Sequence, residues 1–396
     1  MIEPGRYDAH VLIVGGGATG GGVAHDLALR GVRVTLVERG ELTSGTSGRH
    51  HGLLHSGARY AVGDRESAVE CIRESAILKR IAPGSFEENG GLFVALCDED
   101  MEYLEPFMDA CADAGIPAQR LTPERALREE PYLNPEVKAA VRVPDATVDP
   151  MRLILRFFAT AQRNGAQIRP FMEVKDVCVH DGRVCGALLH DHVTGREGEI
   201  SADLVVNAAG PWSDKVAAMA GVSVPMTPSP GVLLALRGRL CNMVINRMHT
   251  SGDGDIVVPQ RGLSVVGTTS WVVDDPDELT VPEDHVERMY AEGSKLIPAV
   301  RFAPRRAAWS AARPLVGAKG SGSGRELSRT FQTFDHQQTE GVDGFVTITG
   351  GKSTTLRGMA ELCADLACRK LGIEEPCRTR DTVLLPHTAY YITAAA

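Results

Sequence analysis

The chain has 396 residues, roughly two to three times the usual domain size, so two domains sharing a ligand are expected rather than one core. A hydrophobic fraction of 43% and a charged fraction of 23% exclude disorder, collagen and coiled coil. The formal net charge of −9 is spread along the chain, which excludes nucleic-acid binding by bulk charge and leaves any bound anion to a local basic pocket. Nine cysteines with no Cys-x-x-Cys argue against a disulfide framework and against a zinc or iron–sulfur site, so no metal is expected. The thiols read as mostly buried in a reducing, cytoplasmic compartment. The amino terminus has no leader pattern and the chain has no spanning helix. Peripheral attachment to the inner face of the cell membrane stays open.

In chain order, His10 to Val14 reads as a buried strand that runs into a run of eight residues, Gly15-Gly16-Gly17-Ala18-Thr19-Gly20-Gly21-Gly22, and then a helix to Arg30. A second strand, Val32 to Val37, ends in Glu38, where an acidic group meets a ribose hydroxyl in dinucleotide-binding folds. Gly15 makes the turn, Gly17 admits a pyrophosphate and Gly20 lets the helix pack closely, while the helix amino terminus offers N–H groups to phosphate. The pattern reads as an adenine dinucleotide site rather than a merely structural glycine turn, and the turn by itself does not separate NAD from FAD. A long polar loop from Thr43 to Tyr60 follows, with three histidines and two arginines.

A helix is expected over Arg65 to Ile81, packing through Val69, Ile72 and Ala76, with Glu66, Glu70, Arg73 and Glu74 elsewhere. Gly91 to Leu96 reads as a strand, followed by acidic helical segments to Glu130. Asp149 caps and Pro150 opens a helix to Asn164. Strands are expected at 167–170, 173–180, 184–190 and 197–202. Asp203 to Asn207 is a strand leading into Ala208-Ala209-Gly210-Pro211-Trp212. From Val232 to about Arg306, strands surround one helix over 282–296. Gly317 to Gly324 has the composition of a mobile loop, read as a lid. Gly344 to Thr349 is a strand that enters Gly350-Gly351-Lys352-Ser353-Thr354-Thr355 and an amphipathic helix to Leu371. Two glycines, a lysine and three hydroxyls at that helix start suit negative charge on a flavin carbonyl, which favours FAD over a nicotinamide.

The ordered motifs T-S-G-R-H-H-G-L-L-H-S-G-A-R-Y, V-N-A-A-G-P-W, V-V-G-T-T-S, S-A-A-R-P-L-V and I-T-G-G-K-S-T-T closely resemble FAD-dependent glycerol-3-phosphate dehydrogenases, above all the A subunit of the anaerobic bacterial form. The likeness runs from about His10 to Pro386, within the wider superfamily of D-amino-acid oxidase and glycine oxidase. It implies an α/β flavoprotein of two domains, a Rossmann-like FAD domain (1–90, 148–225 and 340–396) interleaved with an antiparallel-sheet substrate domain (91–147 and 226–339). It also implies cofactor contacts at Gly15, Gly17, Ala18, Thr19, Gly20, Glu38 and Arg39, and at Thr46, Ser47, His51, Gly52 and Leu53. Further contacts are implied at Val174, whose backbone meets adenine, at Ala209, Gly210 and Trp212, and at Gly351, Lys352, Ser353 and Thr354.

Arg59, Tyr60 and Arg313 match residues that contact glycerol phosphate, and Lys352 one near both substrate and flavin. Planar guanidinium forks suit a phosphate monoester, and two arginines with a lysine would nearly neutralise it. His55 is the expected base and His51 its alternative. Two departures stand out. Where the family has Lys-Gly-Ser, in some branches followed by a substrate-contacting His, this chain reads Ser229-Pro230-Gly231-Val232, and Leu356 replaces a common tyrosine. Both are expected to remove polarity near the pocket.

The expected reaction is oxidation of sn-glycerol 3-phosphate to dihydroxyacetone phosphate, with hydride to FAD N5 and electrons onward to quinone or a partner subunit. The alternative is another flavin oxidase or dehydrogenase acting on an amino or 2-hydroxy acid. Anaerobic A subunits usually continue into a cysteine-rich, iron–sulfur-type domain and this chain stops near 388–396 without one. Electrons are therefore expected to pass directly from flavin to a carrier, to oxygen or to another chain.

Overall fold

A computed structural model describes residues 5–317 and 330–393. Its centre is a six-stranded sheet in the order Phe331–Asp335, Phe345–Gly350, Leu204–Asn207, His10–Val14, Arg33–Val37 and Gln167–Arg169. All are parallel except the first, which pairs antiparallel with Phe345–Gly350. The apolar runs of these strands bury both faces, as parallel strands require. Val11, Ile13, Val34 and Leu36 face a layer of helices that includes Ala18–Leu29, Pro150–Arg163 and Leu356–Leu371. Leu12, Val14 and Val37 face the other way, onto the antiparallel meander Met172–His180, Arg183–Asp191 and Glu197–Ser201.

A second sheet has eight strands in the order Arg305–Val316, Met226–Arg237, Leu263–Gly267, Ile256–Gln260, Val244–Arg247, Gly91–Ala95, Ala139–Val143 and Gln119–Leu121. It is antiparallel apart from one parallel pair, Val244–Arg247 with Gly91–Ala95. Glu283–Leu296 packs Val286, Met289 and Leu296 on one face, and Leu104–Asp113 packs Leu104 and Phe107 on the other. A small sheet of Leu53–Leu54, Ala146–Val148 and Phe86–Glu87 completes the set.

Most expected elements form where the residue pattern places them. The helix over Arg65–Ile81, the helix from Pro150 capped by the Asp149 carboxylate and the helix Leu356–Leu371 are present. The loop after Glu38 is interrupted by the pair Leu53–Leu54 and by short 3-10 turns at Thr46–Gly48 and Ala58–Tyr60.

Two expectations are corrected. Val69 and Ala76 are exposed while Glu74 is buried. The reason is Arg357 on the last long helix, whose guanidinium grips the Glu74 carboxylate at 2.7 and 2.5 Å. Phe331–Asp335, assigned from sequence to the substrate domain, pairs on the edge of the parallel sheet, because the short helix His336–Thr339 returns the chain directly to Phe345–Gly350.

The stretch read as a lid lies outside the described residues beyond Gly317. All nine cysteines are unpaired and five are buried. No helix among the described residues is long and apolar enough to cross a membrane.

Candidate active site

The carboxyl ends of the parallel strands open into a cavity of about 620 Å³, within the range of cofactor sites. Gly15 follows the first strand with φ of +113°, and a Cβ there would stand 2.6 Å from Ala208 O. A Cβ on Gly20 would come 2.0 Å from Gly15 O, so this glycine brings helix and turn together behind the wall rather than lining the cavity. Gly17, Ala18 and Thr19 line it. Ala18 N–H donates to Ser47 Oγ at 2.9 Å, which draws the polar loop across the helix amino terminus. Glu38 accepts from Gly16 N–H at 2.8 Å and Gly40 N–H at 2.9 Å, and this holds its carboxylate at the cavity edge.

Arg39, Thr46, Ser47, His51, Leu53, Val174, Ala209, Gly210, Trp212, Gly351, Lys352, Ser353 and Thr354 all line this cavity too. Gly52 does not, being packed against Gln260 and the Val148 carbonyl. Sequence reading named Arg39 and Trp212 but missed Lys215 and Asp277 on the same rim. There Arg39 lies 4.5 Å from the Trp212 ring centroid, and Arg39, Trp212 and Lys215 all donate to Asp277. Partial burial pushes Asp277 up, but the bonds from Arg39 and Lys215 outweigh it and bring its carboxyl down to about 2.

A second cavity of about 580 Å³ adjoins the first and shares with it His50, His51, His55, Tyr60 and Arg313. Arg59 lines only the second. The three imidazoles form a chain, with ring centroids 6.2 Å apart for His50 and His51 and 6.1 Å for His51 and His55. His50 Nδ1 accepts from Gly52 N–H and His51 Nδ1 from Leu53 N–H, so in both neutral rings the proton sits on Nε2. The His55 ring has no hydrogen-bond partner among the described residues, and its backbone N–H is tied to Thr354 Oγ1 at 3.1 Å. Burial brings His50 down to about 4. Burial, helped by the positive charge of His50, Arg59 and Arg313, brings His51 to about 3. The same cause, with His51, Arg59 and Lys352 beside it, holds His55 well below its ordinary value. At neutral pH all three are uncharged, the state in which an imidazole can take a proton.

The cations are fixed by specific partners. Arg313 Nη1 donates to the carbonyls of Ser229 and Pro230, each at 3.2 Å, and Nη2 donates to Thr269 O at 3.1 Å and to Thr268 Oγ1. A Cβ on Gly231 would fall 2.5 Å from that guanidinium, so only glycine admits it. Arg59 Nη2 is paired with buried Asp255 at 2.6 Å. Its charge is thus partly offset, which tempers the expectation that two arginines and a lysine nearly neutralise a phosphate dianion. Lys352 Nζ donates to Ser67 Oγ at 2.9 Å and stands 4.9 Å from the Tyr60 ring centroid.

Residues 10–366 match the family described as FAD dependent oxidoreductase. The A subunit of anaerobic glycerol-3-phosphate dehydrogenase from Escherichia coli strain K12 is 45% identical over 376 residues, covering 94% of this chain and 69% of that protein. Subunit A1 from Haloferax volcanii is 43% identical over 385 residues, covering 94% and 66%. The chain belongs to this family, in its glycerol-3-phosphate dehydrogenase branch. Among solved structures, the Bacillus halodurans glycerol-3-phosphate dehydrogenase complexed with FAD superposes with a TM-score of 0.75 at 26% identity, covering 96% of this chain and 68% of that one.

FAD is the cofactor of this oxidoreductase family, and the residues present fit it. The glycine turn, the Glu38 carboxylate and two helical amino termini line one cavity, with the uncharged histidines in the lining it shares with the second cavity. Of the residues at the two departures from the family pattern, Gly231 lines the second cavity and the others line neither. Val232 is buried in the core beneath the eight-stranded sheet, and Leu356 packs against the first helix beside Gly22. Neither side chain lines either cavity. The Ser229 and Pro230 contribution comes instead from backbone carbonyls that hold Arg313.

Proposed function

We propose that this chain oxidises the secondary alcohol of sn-glycerol 3-phosphate to the ketone of dihydroxyacetone phosphate. The observation that carries the reading is the meeting of uncharged His55 with Arg59 and Arg313 on one cavity that opens directly into the FAD cavity. When bound, FAD supplies the two-electron acceptor that takes the C2 hydrogen as hydride at N5. The chain's own residues do the rest. Arg59 and Arg313 bind the phosphate end and orient the alcohol. A ring nitrogen of His55 takes the hydroxyl proton, since its ring makes no hydrogen bond among the described residues and keeps that nitrogen available. His51, protonated on Nε2, serves as a hydrogen-bond donor beside it. Lys352 places a positive charge on the wall of the first cavity, 4.9 Å from the ring centroid of Tyr60, which lines both.

The discontinuous division into an FAD domain and a substrate domain is proposed with it, with 331–335 moved to the FAD side. Reoxidation by quinone or a partner subunit, with cytoplasmic or peripheral membrane placement, is the accompanying proposal.

The direct test is anaerobic mixing of the FAD-loaded protein with glycerol 3-phosphate, glycerol and a set of amino acids. Bleaching of the flavin band by glycerol 3-phosphate alone is expected. Bleaching by an amino acid, and none by the phosphate ester, overturns the reading.

A further inference from the structure

The hydroxyl of Ser67 stands between a cation and an anion. It accepts from Lys352 Nζ at 2.9 Å and donates to Asp64 Oδ2 at 2.7 Å. Asp64 is also the N-cap of the helix Arg65–Ile81, where its Oδ1 accepts from Ser67 N–H at 3.0 Å. One carboxylate therefore engages both donors of Ser67 and turns the hydroxyl hydrogen toward itself. The oxygen lone pairs are left facing the ammonium, which comes from 285 residues further along the chain. A helix cap needs only the Asp64 to Ser67 N–H bond. The contact to Lys352 is additional, and it spans the site, since Lys352 lines the first cavity and Asp64 the second.

We propose that Asp64 and Ser67 are positioning residues that aim the Lys352 ammonium at the junction of the two cavities, where FAD and the substrate would meet. The proposal rests on the role given to Lys352 above. Neither residue touches the reacting atoms. Their part is to hold a flexible, rotamer-rich lysine in one orientation through a charge-assisted bond.

Two substitutions separate this role from capping. Asn caps a helix about as well as Asp, so Asp64→Asn keeps the bond to Ser67 N–H. It also turns an amide donor toward the Ser67 oxygen, which then faces two donors and leaves its own hydrogen without an acceptor. Ser67→Ala removes the link outright. The holoenzyme variants are compared in sulfite affinity, read from bleaching of the flavin band, because sulfite places negative charge on the ring that a nearby ammonium stabilises. Steady-state constants for glycerol 3-phosphate and the melting temperature are measured alongside.

Both variants are expected to bind sulfite about tenfold more weakly and to lose about tenfold in kcat, in keeping with one charged hydrogen bond, at nearly unchanged melting temperature. On a Lys352→Met background, Ser67→Ala is expected to cause no further loss. Sulfite affinity at the parent value in both single variants overturns the proposal, as does a full additional loss on the Lys352→Met background. The sulfite titration uses no glycerol 3-phosphate. A parent protein that fails the substrate test yet shows the expected sulfite response would sink the substrate reading and leave the positioning role standing.

Discussion

Arg59 and Asp255 meet at 2.6 Å inside the wall of the second cavity, with 11% and 2% of their side chains exposed. Asp255 also accepts from Gly252 N–H at 2.6 Å, so the carboxylate anchors both a loop and a cation. Removing the cation alone strands a buried carboxylate. Arg59→Met is expected to cost about 3 kcal/mol of stability as well as most of the activity. The double variant Arg59→Met/Asp255→Asn keeps an acceptor for Gly252 and leaves no uncompensated charge. It should regain most of the stability in urea unfolding while kcat/KM for glycerol 3-phosphate stays low. Recovery of kcat/KM in the double variant would show that Arg59 serves the fold and not the phosphate.

The tautomers separate the two histidines that sequence left as rivals. His51 spends Nδ1 on Leu53 N–H and keeps Nε2 as a donor, whereas the ring of His55 packs against His51 and Tyr60 but makes no hydrogen bond among the described residues. His55→Asn is expected to lower kcat by about a hundredfold or more, the usual worth of a positioned base, with flavin content unchanged. His51→Asn can still accept the backbone N–H two residues on and should cost about tenfold or less. Because burial holds His55 below its ordinary value, the base stays uncharged as pH falls past about 6.5. The acid limb of the kcat profile should therefore lie below that value. An equal loss in both variants would return the assignment to the choice that sequence alone leaves.

What sequence could and could not show follows from the range of each interaction. Gly15 to Glu38 is legible because strand, turn, helix and acid are successive in the chain and each residue's role is local. The Gly350 to Thr355 turn is legible for the same reason. Asp255, Ser67 and the carbonyls of Ser229 and Pro230 reach the site only through tertiary approach, across 196, 285 and about 84 residues. No local pattern marks them. Resemblance named the arginines and the lysine but was silent on the partners that aim them.

Glu74 shows the same limit in the core, since helical periodicity assigned it to the solvent side. Its partner Arg357 has 1% of its side chain exposed and also donates to Glu361 Oε2 and Thr379 Oγ1. The pair joins the helix that carries Ser67 to the helix that begins beyond Lys352. Glu74→Gln leaves a buried guanidinium short of its strongest acceptor and should destabilise by roughly 3 kcal/mol. Calorimetry on the holoenzyme would read this as a lower melting temperature. Residual activity at low temperature should keep the parent KM, because no cavity-lining group changes. A raised KM at unchanged melting temperature would contradict this account.

His25 is the last titratable group with a clear consequence. It lies in the first helix with 0% exposure, its ring edge-on to Phe157 at 5.5 Å between centroids. Neither nitrogen meets a hydrogen-bond partner among the described residues, and burial brings it down to about 3. In the unfolded chain the same ring protonates below about 6.5, so between that pH and about 3 the unfolded state holds one more proton than the folded one. Folding stability must then fall as pH falls, by about 1.4 kcal/mol per pH unit from this residue. His25→Leu removes the term and leaves no donor unsatisfied. At pH 7 the variant should match or exceed the parent in urea unfolding. At pH 5 it should gain roughly a further 2 kcal/mol over the parent, since the contributions of His50, His51 and His55 are common to both and cancel. Parallel pH dependence of the two proteins would mean that His25 finds a proton or a partner in the folded state.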